Sequence, residues 1–293
     1  MFRRAVLAVV PAVLVAGVSG AAGQQAVPTC VGERATIVGT AGNDALTGTG
    51  GRDVIVGIQG NDTIDGGEGN DSICAGDGDD VLVGGGGIDG LVGGLGNDRL
   101  DGGTGQVNAA IYLEAPGPIA ADLAAGAVTG ASGTDALVNI NTVLGSRRAD
   151  SLKGGPGPEL LLGFGGNDAI VGRGGGDLLA GNAGDDRLAG GGGVDAADYS
   201  GAIRPIRVNL TRGVAFGDGR DRLREIEGAL GGSRADTLIG DRQANELFGG
   251  AGNDTIEGRA GRDSLDGGRG RDRLDGGAGR DRCRAGEIME RCP

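Results

Sequence analysis

The chain has 293 residues, 68 of them glycine and 8 proline, but only 2% are aromatic, and tryptophan and histidine are absent. So few large apolar side chains exclude an ordinary enzyme core, and the lack of imidazole excludes Ser-His-Asp and Cys-His pairs and the commonest general base. A formal net charge of −13 repels nucleic acid and anionic lipid and favours cations.

Residues 1–23 have the layout of a signal peptide. Arg3 and Arg4 precede an apolar stretch, Ala5 to Val18, and then the small residues Ser19-Gly20-Ala21-Ala22-Gly23. This predicts a secreted, extracellular protein. The apolar stretch is short for a bilayer span, so no membrane span is expected in the mature chain; an uncleaved anchor is the competing reading. Residues 24–38 are expected to form an N-terminal cap, with Ile37 standing where a core residue would fall.

From Gly39 the chain counts in nines. The first block, 39–104, opens with seven unbroken units, among them GTGGRDVIV, GIQGNDTID and GGEGNDSIC. Six more units fill 145–198 and another six fill 231–284. Between the blocks, 105–144 and 199–230 resemble each other: Tyr112, Asp135, Leu137 and Ile140 answer Tyr199, Asp221, Leu223 and Ile226. Alternation in Ile206, Val208 and Leu210 predicts a strand. Both segments read as β inserts that extend or cap the repeats, with scattered acids and no catalytic role. Residues 285–293 are the expected C-terminal cap. Four cysteines allow three connectivities. Two lie near each end, so Cys30–Cys74 and Cys283–Cys292 are expected. Cys283 and Cys292 are nine apart, which would set them facing each other across the core.

The columns of the repeat are sharp. Of 19 units, column one is Gly in 18, column four Gly in 16, column six Asp in 17 and column eight Leu or Ile in 17. Columns seven to nine suit short strands, with the eighth side chain pointing inward. Such a period marks a solenoid. The units resemble GGxGxDxUx, the nonapeptide of RTX, or haemolysin-type, calcium-binding proteins. That resemblance implies an all-β fold, a parallel β-roll (β-solenoid). It further implies that two nonapeptides make one coil, with six residues of each turning around calcium and three forming a strand.

With two units per coil, sixth-column carboxylates 18 residues apart stack about 4.8 Å apart. At an effective dielectric of 20 they repel by roughly 3–4 kcal/mol, and a divalent cation between adjacent loops reverses the sign. Carboxylate and carbonyl ligands are hard oxygens, and many of them in a flexible loop favour Ca²⁺ over Mg²⁺. The candidate ligands are Asp44, Asp53, Asp62, Asp71, Asp80, Asp89 and Asp98; Asp150, Asp168, Asp177, Asp186 and Asp195; and Asp236, Asp254, Asp263, Asp272 and Asp281. Pairing at 18 residues gives up to 13 calcium ions. The pairs Glu159–Asp177 and Asn245–Asp263 are expected to be weaker, as are those beside Arg148 and Arg234, which replace a column-four Gly. No catalytic or cofactor-binding residue is nominated. The sequence therefore predicts a secreted, non-enzymatic calcium-binding repeat protein that folds on binding Ca²⁺. The alternative is an extracellular adhesin or cell-envelope module using the roll as a spacer. In that case its partner is a cell-surface or polysaccharide ligand of unknown identity.

Overall fold

A computed structural model of the chain describes residues 27–105 and 107–292; the expected signal peptide lies outside them. The chain divides into two compact units, up to Leu144 and from Gly145. In both, the seventh to ninth columns fold as short strands. Thr63–Asp65 and Val81–Val83 bury only their central residue, because successive side chains on a strand point to opposite faces. The glycine-rich hexapeptides between strands reverse the chain.

In the first unit each coil from Ile37 to Leu100 takes 18 residues. Ile64 pairs in register with Leu46 and Leu82, and Ile55 with Ile37 and Ile73. One parallel sheet runs through Ala45–Thr47, Thr63–Asp65, Val81–Val83, Arg99–Asp101 and Gly133–Val138. The other runs through Ile37–Val38, Val54–Gln59, Ser72–Asp77, Ile88–Leu95, Val107–Ile111 and Thr142–Leu144. The insert adds an antiparallel excursion, Ile119–Asp122 and Ala127–Gly130, before it rejoins the parallel stack. Ile64, Ile73, Leu82, Leu91 and Leu100 are fully buried between the sheets. Each such side chain contributes about 1.5–3 kcal/mol by leaving water. A one-residue-thick core of Leu and Ile leaves no space for tryptophan.

The second unit repeats this plan and carries the insert 199–230 inside its stack. Arg187–Gly193 pairs in parallel with Arg220–Arg224, which pairs antiparallel with Val214–Phe216. That strand is antiparallel to Arg207–Asn209, which in turn pairs in parallel with Thr237–Ile239. On the opposite face Ala196–Asp198, Gly228–Leu230 and Glu246–Phe248 stack directly. Residues 145–198 and 231–284 are thus coils of one roll, joined by strands of the insert.

The disulfides are Cys30–Cys74 and Cys283–Cys292, with Cα separations of 5.6 and 5.7 Å. Cys30 is buried against Val54 and Val56 and ties the short antiparallel pair Thr29–Cys30 and Glu33–Arg34 to the strand Ser72–Asp77. At the other end the geometry differs from expectation. The residue opposite Leu274 is Met289, 15 positions on, and Cys292 lies beyond the strand Ile288–Glu290. The last coil is three residues short because Glu287, longer than Asp, reaches back to the Asp272 N–H. The second bridge therefore closes the chain beside the final coil rather than across its core.

Candidate metal centre

The sixth-column aspartates immediately precede the strands, so the stacking of the strands also stacks them. Within each block, the N–H of one aspartate donates to Oδ1 of the aspartate 18 residues on. Asp44 to Asp62 is 2.9 Å, Asp53 to Asp71 is 2.8 Å, Asp168 to Asp186 is 2.8 Å and Asp254 to Asp272 is 2.9 Å. All 17 candidate residues lie on such ladders, and all but the half-buried Asp44 are buried.

The other carboxylate oxygen separates the first rung from the rest. In Asp44 and Asp53, Oδ2 accepts the N–H of Thr40 and Thr49, both at 2.6 Å, and their hydroxyls at 3.0 and 2.8 Å. Ser146 and Gly232 N–H groups serve Asp150 and Asp236 in the same way, at 2.6 and 2.7 Å. The Thr49 N–H holds the Asp53 carboxyl below its ordinary range. From the second rung onward this donor is missing. Oδ2 is buried without a partner in Asp62, Asp71, Asp80, Asp89 and Asp98, in Asp168, Asp177, Asp186 and Asp195, and in Asp254, Asp263, Asp272 and Asp281. These 13 are the second members of the 13 pairs read from the sequence.

Burial without a donor disfavours the charged form. It pushes Asp71 up to about 6, Asp98 and Asp168 to about 7, and Asp254 and Asp263 to about 6. Glu159 also leaves an oxygen buried without a partner and is raised to about 7 by burial. Asn245 resolves the problem differently. Its Oδ1 accepts the Asp241 N–H at 2.8 Å, and its Nδ2 donates to the Glu227 carbonyl at 3.1 Å.

Backbone oxygens crowd the same layer between coils. A Cβ at Gly78 (φ +148°) would stand 2.0 Å from the Gly60 carbonyl oxygen. One at Gly57 would stand 2.2 Å from Asp62 Oδ2 and 2.6 Å from the Ala75 carbonyl oxygen. Side chains would fill this cradle, which is why the columns are glycine. Among the described residues no three carboxylate, thiol or imidazole side chains converge. A cation here would take few carboxylates and several backbone carbonyls. That all-oxygen donor set, with its bare buried carboxylate oxygens, fits Ca²⁺.

The inserts end the ladders, and their acids are not scattered as expected. Asp98 N–H donates to Asp135 Oδ1 at 3.0 Å, and Asp186 N–H to Asp221 Oδ1 at 3.1 Å. Oδ2 of each then accepts a tyrosine hydroxyl at 2.8 Å, from Tyr112 and Tyr199 respectively. Burial, with the neighbouring carboxylate, raises both tyrosines well above their ordinary value. The signal for these pairs was a Tyr followed by an Asp 23 residues later in one insert and 22 in the other. On the second edge of the 145–293 unit, Glu227 Oε2 accepts the Asp195 N–H at 3.0 Å.

A family model for the RTX calcium-binding nonapeptide repeat matches residues 38–73, 56–91, 75–106, 162–196, 230–265 and 257–287, more than half of the chain. The chain belongs to the RTX calcium-binding repeat family. The RTX matches leave out 145–161, where Arg148 and Glu159 depart from the motif, and most of both inserts. Comparison with curated proteins finds no match. The RTX repeats here form parallel β-rolls of the calcium-binding type. Among the described residues no helix is long and apolar enough to cross a membrane.

Proposed function

We propose that this RTX protein is a secreted, non-enzymatic scaffold whose coils are ordered by calcium, with the 17 sixth-column aspartates as side-chain ligands and one ion between each of 13 loop pairs. The observation that carries the proposal is the set of 13 buried Oδ2 atoms without a donor. Bound calcium supplies the positive charge that such oxygens lack. The chain supplies the rest. Ladder N–H groups fix one oxygen of each carboxylate, glycines bring carbonyl oxygens alongside, and Leu and Ile stack the coils. Asn245, uncharged and with its only oxygen bonded to the Asp241 N–H, marks the weakest loop pair. Export is supported by the signal-like leader and by the two disulfides, which persist in oxidising compartments. A structural role is supported by how the ladder acids are held: each is tied to a backbone N–H in a repeating column, and no three such side chains converge among the described residues. The test is calorimetric titration of the metal-free chain with Ca²⁺, followed in parallel by circular dichroism. Near 13 ions and a calcium-dependent β signal are expected. A full β signal in chelator would refute the coupling of folding to calcium, and a stoichiometry of a few ions would refute the ligand assignment.

A further inference from the structure

The basic residues are distributed unevenly. Residues 145–293 hold 22 of the 27 basic residues and 24 of the 40 acidic ones. Many of those acids face inward on the ladders, so the outer surface of this unit is richer in arginine than its composition suggests. One group of them lies on the sheet built through the second insert. In Arg220–Arg224, Asp221 and Leu223 point inward while Arg220, Arg222 and Arg224 point out. Arg222 lies opposite Arg187 on one side. Phe216 lies opposite both Arg220 and Arg207. The Arg220 guanidinium sits 5.9 Å from the centre of the Phe216 ring, which is 45% exposed. Arg187, Arg207, Arg220 and Arg222 make no ion pair among the described residues; Arg224 pairs with Glu225 at 3.4 Å.

We infer that this face is a docking surface for an acidic polysaccharide. Guanidinium groups on a sheet recur about 4.8 Å apart between strands and about 6.8 Å along them. They are planar forks that take carboxylate or sulfate oxygens in pairs. A rigid lattice of such forks suits an unbranched chain that repeats its negative charges at short intervals. The exposed Phe216 adds a flat apolar surface beside them for a sugar ring. A membrane partner would call for several exposed large apolar side chains on the same face, and on these strands Phe216 is the one such residue, with Val214 and Ile239 partly buried. The disulfides place the encounter outside a reducing compartment, where surface glycans are met and nucleic acid is not the usual polymer. The inference rests on the proposed export only for that compartment; it does not depend on how many ions the roll holds.

The experiment uses the full chain with calcium and four probes: chondroitin sulfate, neutral dextran, a DNA duplex and phosphatidylserine–phosphatidylcholine vesicles. Binding is read by biolayer interferometry over a salt series. Chondroitin sulfate is expected to bind most tightly, with affinity falling as salt rises, and dextran not at all. Substituting Arg187→Gln, Arg207→Gln, Arg220→Gln and Arg222→Gln together is expected to weaken binding by about tenfold or more. An equal loss of charge through Arg262→Gln, Arg269→Gln, Arg271→Gln and Arg280→Gln, all in exposed loops, is expected to change it little. Circular dichroism and calcium titration of both variants separate a lost surface from a lost fold. An equal effect of the two variants overturns the assignment to this face. Tighter binding to DNA or to vesicles overturns the choice of partner. Failure of the calcium titration with retained glycan binding would sink the scaffold proposal and leave this one standing.

Discussion

A carboxylate buried with one oxygen bonded and the other bare is costly, and each bare buried acceptor costs about 1–3 kcal/mol. In the metal-free chain the inexpensive remedy is a proton. The cited groups have an ordinary value of 3.8 and folded values near 6 to 7. A folded value raised above the unfolded one means the stabilisation is complete below the unfolded value and disappears as pH rises through 6 to 7. The chelated chain should therefore gain β structure when acidified from about pH 8 to about pH 5. A circular dichroism pH series in chelator checks this, and a flat profile contradicts it. Calcium competes with those protons, so apparent calcium affinity should fall over the same window. Glycine gives a second residue-scale test. A Cβ at Gly87 (φ +135°) would lie 1.6 Å from the Gly69 carbonyl oxygen, whereas at Gly50 it meets nothing within 4 Å. Gly87→Ala is expected to cost more than about 2 kcal/mol in calcium. Gly50→Ala should be neutral or stabilising by less than about 1 kcal/mol. Urea midpoints report both.

Within the elements, the inserts matter most, because each terminates a ladder with a tyrosine. Without its hydroxyl, Asp135 or Asp221 would carry the same bare oxygen as the rungs before it. Tyr112→Phe and Tyr199→Phe should each destabilise the calcium-loaded roll by about 1–3 kcal/mol, measured as a lower urea midpoint with the β signal otherwise unchanged. A pair of neutral substitutions would show that the hydroxyls do not serve the ladder. These pairs also mark the limit of what the sequence discloses. The repeat columns were readable because side-chain type alone fixes their roles: Gly for close approach, Asp for the ladder, Leu or Ile for the core. Strand positions followed from the same count, whereas the coil of two units was implied by the RTX resemblance, and Ile64 opposite Leu82 agrees with it. The role of Tyr112 was not readable, because it depends on an antiparallel excursion bringing Asp135 back to a position 37 residues after Asp98. The short final coil was hidden for a similar reason, since Glu287 fills an aspartate's place only through its extra methylene. The satisfied first rungs went unread because a threonine two residues into a turn looks like any other turn residue until its N–H is seen on Asp44.

For the whole molecule, stacked charge is the dominant electrostatic fact. The chain carries a formal −13, and much of it sits on ladders where neighbouring carboxylates share one hydrogen-bonded column. Thirteen divalent ions add 26 positive charges, which would turn −13 into +13 for the whole chain, or −15 into +11 for residues 27–293, which lack Arg3 and Arg4. The change is not shared evenly. Residues 27–144 have 3 basic and 16 acidic residues and five loop pairs, so they would pass from −13 to −3. Residues 145–293, with eight pairs, would pass from −2 to +14. Net charge of this size governs solubility and the choice of charged partners. Electrophoretic mobility of the full chain should therefore reverse sign between chelator and saturating calcium at neutral pH and low salt, where screening is weakest. The reversal is expected to cross zero when about half the sites are filled. A mobility that stays anodic at saturation would mean that fewer than half the loop pairs hold an ion. In that case the bare oxygens of the remaining rungs would have to be satisfied by protons, and the same sample should then take up protons on folding.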